Sequence, residues 1–163
     1  MKRPTILLLG IVAIAIAAYA GYRMSASDET RIRWLLGDAA DSFNHTRLSG
    51  CIGAFDKDYQ DTTTRIDRAN LASVLRYLFL KRVDPKTKAF LHRVLMPEES
   101  MSIEIADAGQ EAEVKFDLDL QQQQGETWQS TWQLRVTAQL HKVDGDWRIR
   151  QSSHETAMGK PPR

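Results

Sequence analysis

The chain has a single cysteine, Cys51, so no intramolecular disulfide can form and the fold must rest on its core. Cys51 sits in the apolar run Gly50-Cys51-Ile52-Gly53-Ala54 with no adjacent His or Lys, which reads as an inert thiol rather than a nucleophile. An excess of charge is also missing. The chain has 22 basic and 21 acidic residues, and setting aside Lys2, Arg3 and Arg23 leaves 19 against 21. That balance gives no footprint for nucleic acid. There is no internal repeat, no Gly-rich phosphate loop and no paired histidine motif. His45, His92, His141 and His154 are isolated and read as ordinary surface or half-buried residues. No metal or cofactor signature is read.

Long hydrophobic runs are scarce as well, with one exception. Pro4 to Tyr22 is uncharged and rich in Ile, Leu and Ala, between Lys2-Arg3 and Arg23. Nineteen residues of helix span roughly 28 Å, close to the hydrocarbon thickness of a bilayer. The larger positive cluster stays cytoplasmic, which puts the rest of the chain outside. Two readings fit. Residues 1–24 are a retained single-pass anchor, favoured because the run continues to Tyr22, or a signal peptide cleaved near Ala20, at Ala18-Tyr19-Ala20, that leaves a secreted or periplasmic domain. A buried core helix fits poorly, because a helix apolar on all faces needs more protein around it. No Cys sits just after the run, which argues against lipidation.

Residues 25–155 read as one domain and 156–163 as a disordered tail. Ser27 or Asp28 caps a helix whose Ile32, Leu35, Leu36, Ala39 and Phe43 recur at helical spacing. Phe55 to Thr64 is polar and irregular. Asp67 caps a second helix with the stripe Leu71, Val74, Leu75, Leu78 and Phe79. After Pro85 the period changes. Residues 85–96 fit a strand or a third helix, and we read a strand. Met101, Ile103 and Ile105 alternate with polar residues, as do Val114 to Leu120, Trp132 to Leu140, and Trp147 with Ile149. Gln121-Gln122-Gln123-Gln124 reads as a loop, and Asp144-Gly145-Asp146 as a hairpin turn. One-sided alternation signals an antiparallel sheet with one wet face. The helices bury their stripes on its apolar face, which gives an α+β domain with a curved antiparallel sheet.

This order resembles the NTF2-like superfamily (nuclear transport factor 2, ketosteroid isomerase and SnoaL-like proteins). Phe55-Asp56-Lys57-Asp58-Tyr59-Gln60-Asp61 looks like the family's passage from first helix to sheet. Arg65-Ile66-Asp67-Arg68-Ala69-Asn70-Leu71 looks like its next helix start. Gln139 through Ile149 is similar to its closing hairpin. The resemblance implies a cystatin-like cone, with helices inside a bent sheet, and members that are enzymes, ligand binders or scaffolds. A ketosteroid-type isomerase needs a pocket carboxylate as base, with Tyr and a protonated acid as donors. The inward positions of the clear strands, Val114, Phe116, Leu118, Leu120, Trp132, Leu134, Val136, Ala138 and Leu140, carry no such group.

The expectation is therefore a non-enzymatic, membrane-tethered extracytoplasmic domain that binds a hydrophobic small molecule or a partner protein. Gln133, Arg135, Thr137, Gln139 and His141 form the outward row for a homodimer or an envelope protein. One alternative is a small cone-pocket enzyme of isomerase or dehydratase type using Asp41, Tyr59 or Asp61, with His45 near by. Another is a structural subunit of an envelope complex. Weaker signals are the EF-hand-like spacing of Asp56, Asp58, Gln60 and Asp67, which lacks the glycine and the final Glu, and the sequon Asn44-His45-Thr46 inside a predicted helix. Trp128, Trp132 and Trp147 read as core.

Overall fold

The computed structural model of the chain describes residues 26–161. The anchor or signal segment lies outside the described residues. Among those described, no helix is long and apolar enough to cross a membrane.

Helix α1 (Asp28–Asn44) begins where Ser27 Oγ accepts the Thr30 amide at 3.3 Å, with Asp28 and Glu29 at its positive end. It buries Ile32 and Leu36, and Leu35 and Ala39 pack beside them. A six-residue helix α2 (Leu48–Gly53) follows, where no helix was expected. Gly50 explains its close approach to α1, because a Cβ there would collide with the Ser42 side chain. Helix α3 (Arg68–Lys81) is capped by Asp67, whose carboxylate accepts the Asn70 amide at 2.7 Å, as expected. None of its residues is fully buried.

The six strands are β1 (Phe55–Asp61), β2 (His92–Leu95), β3 (Ser102–Ile105), β4 (Glu111–Gln124), β5 (Thr127–Val143) and β6 (Asp146–Gly159). Their order is β1-β6-β5-β4-β2, with β3 also paired to β4. The sheet is mixed rather than wholly antiparallel, because β1 runs parallel to β6 at one edge. The polar run read as irregular is therefore a strand: Phe55, Tyr59 and Asp61 are turned inward while Lys57, Asp58 and Gln60 stay wet. The four glutamines continue β4 against Thr127 to Ser130 instead of forming a loop. Of residues 85–96, only His92 to Leu95 form a strand.

Strand β6 also runs to Gly159, past Thr156, where a disordered tail was expected. Gly159 faces Trp132, and at φ +79° a Cβ there would drive into the Thr131 carbonyl. Three ladder irregularities bend the long strands. The extra residues are Thr131 between β4 and β5, and Arg150 and Ala157 between β5 and β6. The curved sheet wraps α1 around a core of Ile32, Leu36, Val114, Leu140, Trp147 and Ile149.

Candidate functional site

Helix α3 stands beside β1, and a space is left between it and the inner face of β4, β5 and β6. Helix and sheet enclose an open cavity of about 680 Å³, a volume suited to a drug-sized molecule. Leu71, Val74, Leu75 and Leu78 of α3 form one wall. Phe116, Leu118, Leu120, Trp132, Leu134, Val136 and Ala138 form the other. This apolar wall is the inward row expected from strand alternation.

One sector is polar. Tyr59 and Asp61 of β1 and Ser152, His154 and Thr156 of β6 all line the same cavity. The Tyr59 and Ser152 hydroxyls lie 2.7 Å apart. Ser152 Oγ donates to Asp61 Oδ2 at 2.8 Å, so the Tyr59 hydroxyl donates to Ser152 in turn. Asp61 Oδ1 accepts the Thr64 amide and hydroxyl, both at 2.7 Å. His154 Nδ1 lies 3.4 Å from Asp61 Oδ2. The His154 ring stands edge-to-face on Trp132 at 5.8 Å, and Trp132 Nε1 donates to Thr156 Oγ1 at 3.1 Å. Thr63 Oγ1 donates to the His154 carbonyl and accepts its amide, which fixes the backbone beneath the imidazole.

Burial is the largest single influence on Asp61 and pulls its pKa up. Three hydrogen bonds from Thr64 and Ser152 and the nearby His154 outweigh it, so the carboxyl stays below its ordinary value. Burial, aided by the Asp61 charge, pushes the Tyr59 hydroxyl up against the pull of Ser152. Asp61 is thus an anion at neutral pH and Tyr59 a neutral phenol. The anionic Asp61 faces the Nδ1 side of the His154 ring, which lines the cavity.

Of the three alternative catalytic residues, Tyr59 and Asp61 meet in the cavity and Asp41 does not. Its half-exposed side chain pairs with His45 at 3.0 Å and with Arg47 on the outside of α1. His154 was read as isolated. Simple alternation from Ile149 turns Gln151, Ser153 and Glu155 inward, but the extra residue Arg150 reverses the parity. Ala138 faces Ser152, Val136 faces His154 and Leu134 faces Thr156. The inward faces are therefore not bare of proton-moving groups, as the clear strands alone implied.

The other histidines lie elsewhere. His141 Nε2 is 3.0 Å from the buried Asp56. His92 is buried next to Phe90. In the EF-hand-like run, Asp56 Oδ1 accepts the Asp58 amide and Asp67 caps α3, and no group of three metal-ligating side chains gathers among the described residues. On the outer face, Arg135 Nε lies 3.8 Å from Asp117, and Gln139 donates to Glu113 at 2.6 Å.

No protein-family model and no curated protein matches the sequence. Solved structures do match the fold. A protein of unknown function with a cystatin-like fold from Nostoc punctiforme aligns with a TM-score of 0.63 and 16% identity, covering 84% of this chain and 96% of its own. An NTF2-like protein with a cystatin-like fold from Novosphingobium aromaticivorans gives 0.62 and 12%, over 98% of this chain and 94% of its own. A protein named as a candidate scytalone dehydratase from the same organism gives 0.61 and 13%, over 80% and 85%. The fold is the NTF2-like, cystatin-like cone that the sequence resemblance implied.

Proposed function

We propose that this NTF2-like domain is a small-molecule enzyme of isomerase or dehydratase type, held at a membrane by Pro4–Tyr22 with the domain on the extracytoplasmic side. The observation that carries the catalytic reading is the Asp61–His154 pair set into the polar sector of an otherwise apolar cavity. The cavity takes an aromatic or polycyclic substrate, and the apolar wall leaves its one activated C–H facing β6. His154 Nε2 accepts that proton as the C–H bond breaks. Asp61 stabilises the resulting imidazolium and keeps its orientation. The imidazolium then returns the proton to another carbon of the substrate, or to a departing hydroxyl, which leaves as water. The proton count closes on His154 with no other reactant. One solved structure of this fold carries the name of a candidate dehydratase, which supports the class but not the substrate.

The apolar lining favours a second reading, in which the cavity binds a hydrophobic molecule without turnover. One experiment separates the two. The chain is incubated in heavy water with a panel of aromatic and polycyclic ketones, and NMR follows α-proton exchange. Catalysis predicts exchange above buffer that falls at least ~100-fold in His154→Ala, while ligand affinity changes by less than ~3-fold. Saturable binding with no exchange above buffer for any member leaves binding as the function.

A further inference from the structure

Helix α3 carries apolar side chains on both sides, among Asn70, Ser73 and Lys81 on the outer one. Its inner side lines the cavity. Its outer side exposes Val74, Tyr77 and Leu80, at 44%, 57% and 68%. At 100° per residue, Leu80, Ser73, Tyr77 and Val74 fall within a band of about 120°, with Arg76 at its edge and Lys81 within it. The helix sequence contains Arg68, Arg76 and Lys81 and no acidic residue, and Arg82, Lys86 and Lys88 follow it. Among the described residues, no carboxylate forms an ion pair with Arg76, Lys81 or Lys86. The flanking Asp67 and Asp84 are occupied in capping α3 and in accepting the Lys86 and Thr87 amides.

We infer that the outer face of α3 docks on an anionic lipid bilayer. Exposed aliphatic side chains, a tyrosine and bordering cations, with no acid among them, are what the headgroup layer of such a bilayer accepts. Apart from these six cations, residues 24–163 hold 13 basic and 21 acidic residues, so the attraction is local to this helix and fixes the orientation. The chain can reach that orientation. Arg23 to Asp28 spans at most roughly 20 Å beyond the apolar run, and α1 adds about 25 Å. The far end of α1 meets α3 where Phe43 packs on Phe79 at 5.6 Å, so the domain can lie along the surface. Val74 both lines the cavity and is exposed, so this docking sets the cavity rim against the acyl chains. A membrane-dissolved molecule then enters without crossing water. The inference rests on the membrane tether of the proposed function and not on the proton chemistry of Asp61 and His154.

The test uses the full chain with Leu80→Cys labelled with bimane, and Gln139→Cys on the outer sheet face as the comparison. Cys51 is 4% exposed and stays unlabelled. Vesicles of phosphatidylcholine, with or without phosphatidylglycerol, carry a nitroxide lipid as quencher. With the anionic lipid, quenching at position 80 is expected to exceed that at position 139 at least threefold. It should fall to the position-139 level in neutral vesicles and in the Arg76→Glu/Lys81→Glu variant. Flotation confirms that each variant remains on the vesicles through its apolar segment, and near-UV circular dichroism confirms that it is folded. Equal quenching at the two positions overturns the inference, as does quenching indifferent to lipid charge and to the two substitutions. Shielding of position 80 from aqueous iodide that grows with protein concentration, without lipid quenching, assigns the face to a second copy and overturns it too.

Discussion

Asp61→Asn is the sharpest probe of the cavity's polar sector, because it keeps the shape while removing the charge and turning one acceptor oxygen into an NH2 donor. In the native chain the carboxylate accepts Thr64 N–H, Thr64 Oγ1 and Ser152 Oγ at 2.7 to 2.8 Å and faces His154. A hydrogen bond to a charged acceptor contributes ~1 kcal/mol more than one to a neutral acceptor. The two bonds from Thr64 lose their charged acceptor and the Ser152 bond must reverse or break, about 3 kcal/mol in all; less about 1 kcal/mol regained by no longer burying a charge, this leaves a loss of about 2 kcal/mol. With a urea m-value of about 1.5 kcal/mol/M, the unfolding midpoint should drop by roughly 1 M. The loss must also depend on pH in one direction. The Asp61 pKa is lowered on folding, so its contribution is complete above the ordinary carboxylate value of about 4 and fades as pH falls through the folded value. Urea unfolding followed by tryptophan emission in a non-ionic detergent, at pH 7 and at pH 3, reads both. Equal midpoints at pH 7, or a gap that persists unchanged at pH 3, would refute the account of Asp61 as a bound anion.

Three further outcomes follow from the same geometry. Val136→Trp fills the cavity from the sheet side, and calorimetry should show apolar ligands binding at least tenfold more weakly while the fold persists. Burial pushes the Cys51 thiol up to about 11, so its alkylation at pH 8 should be at least ~100-fold slower in the folded chain than in urea. If the outer row from Gln133 to His141 forms a homodimer, Arg135→Glu should weaken self-association in ultracentrifugation, and an unchanged distribution removes that interface.

The parts of the fold that were legible are those where one physical signal acts alone. The 3.6-residue stripes of α1 and α3 and their caps Ser27 and Asp67 depend only on nearby residues, and they stand where the sequence puts them. The apolar row from Val114 to Leu140 follows from strict alternation. Strand β1 was hidden because it lies at a sheet edge with few apolar residues, and its parallel partner is more than ninety residues away. The glutamines of β4 and the end of β6 were hidden for a related reason. Their pairing comes from neighbouring strands, and local composition argued against it. Tyr59 and Asp61 were named as cavity candidates because they follow the first long helix, but Asp41 was named with them because helix position alone does not say which face is covered. His154 required knowing that Arg150 is skipped.

The extra residue at Arg150 gives β6 something like a reading frame. Upstream of it, odd-numbered residues face the core, and downstream, as far as Thr156, even-numbered ones do. Straightening that bulge with the sequence unchanged would exchange Ser152, His154 and Thr156 for Gln151, Ser153 and Glu155 at the cavity wall, whereas deleting Arg150 would leave every downstream pair, and so the same wall, in place. Among chains of this cone shape, a one-residue gap at this point in an alignment is then compatible with an unchanged cavity wall, and it is a residue kept here but paired instead of bulged that would present different chemistry inside.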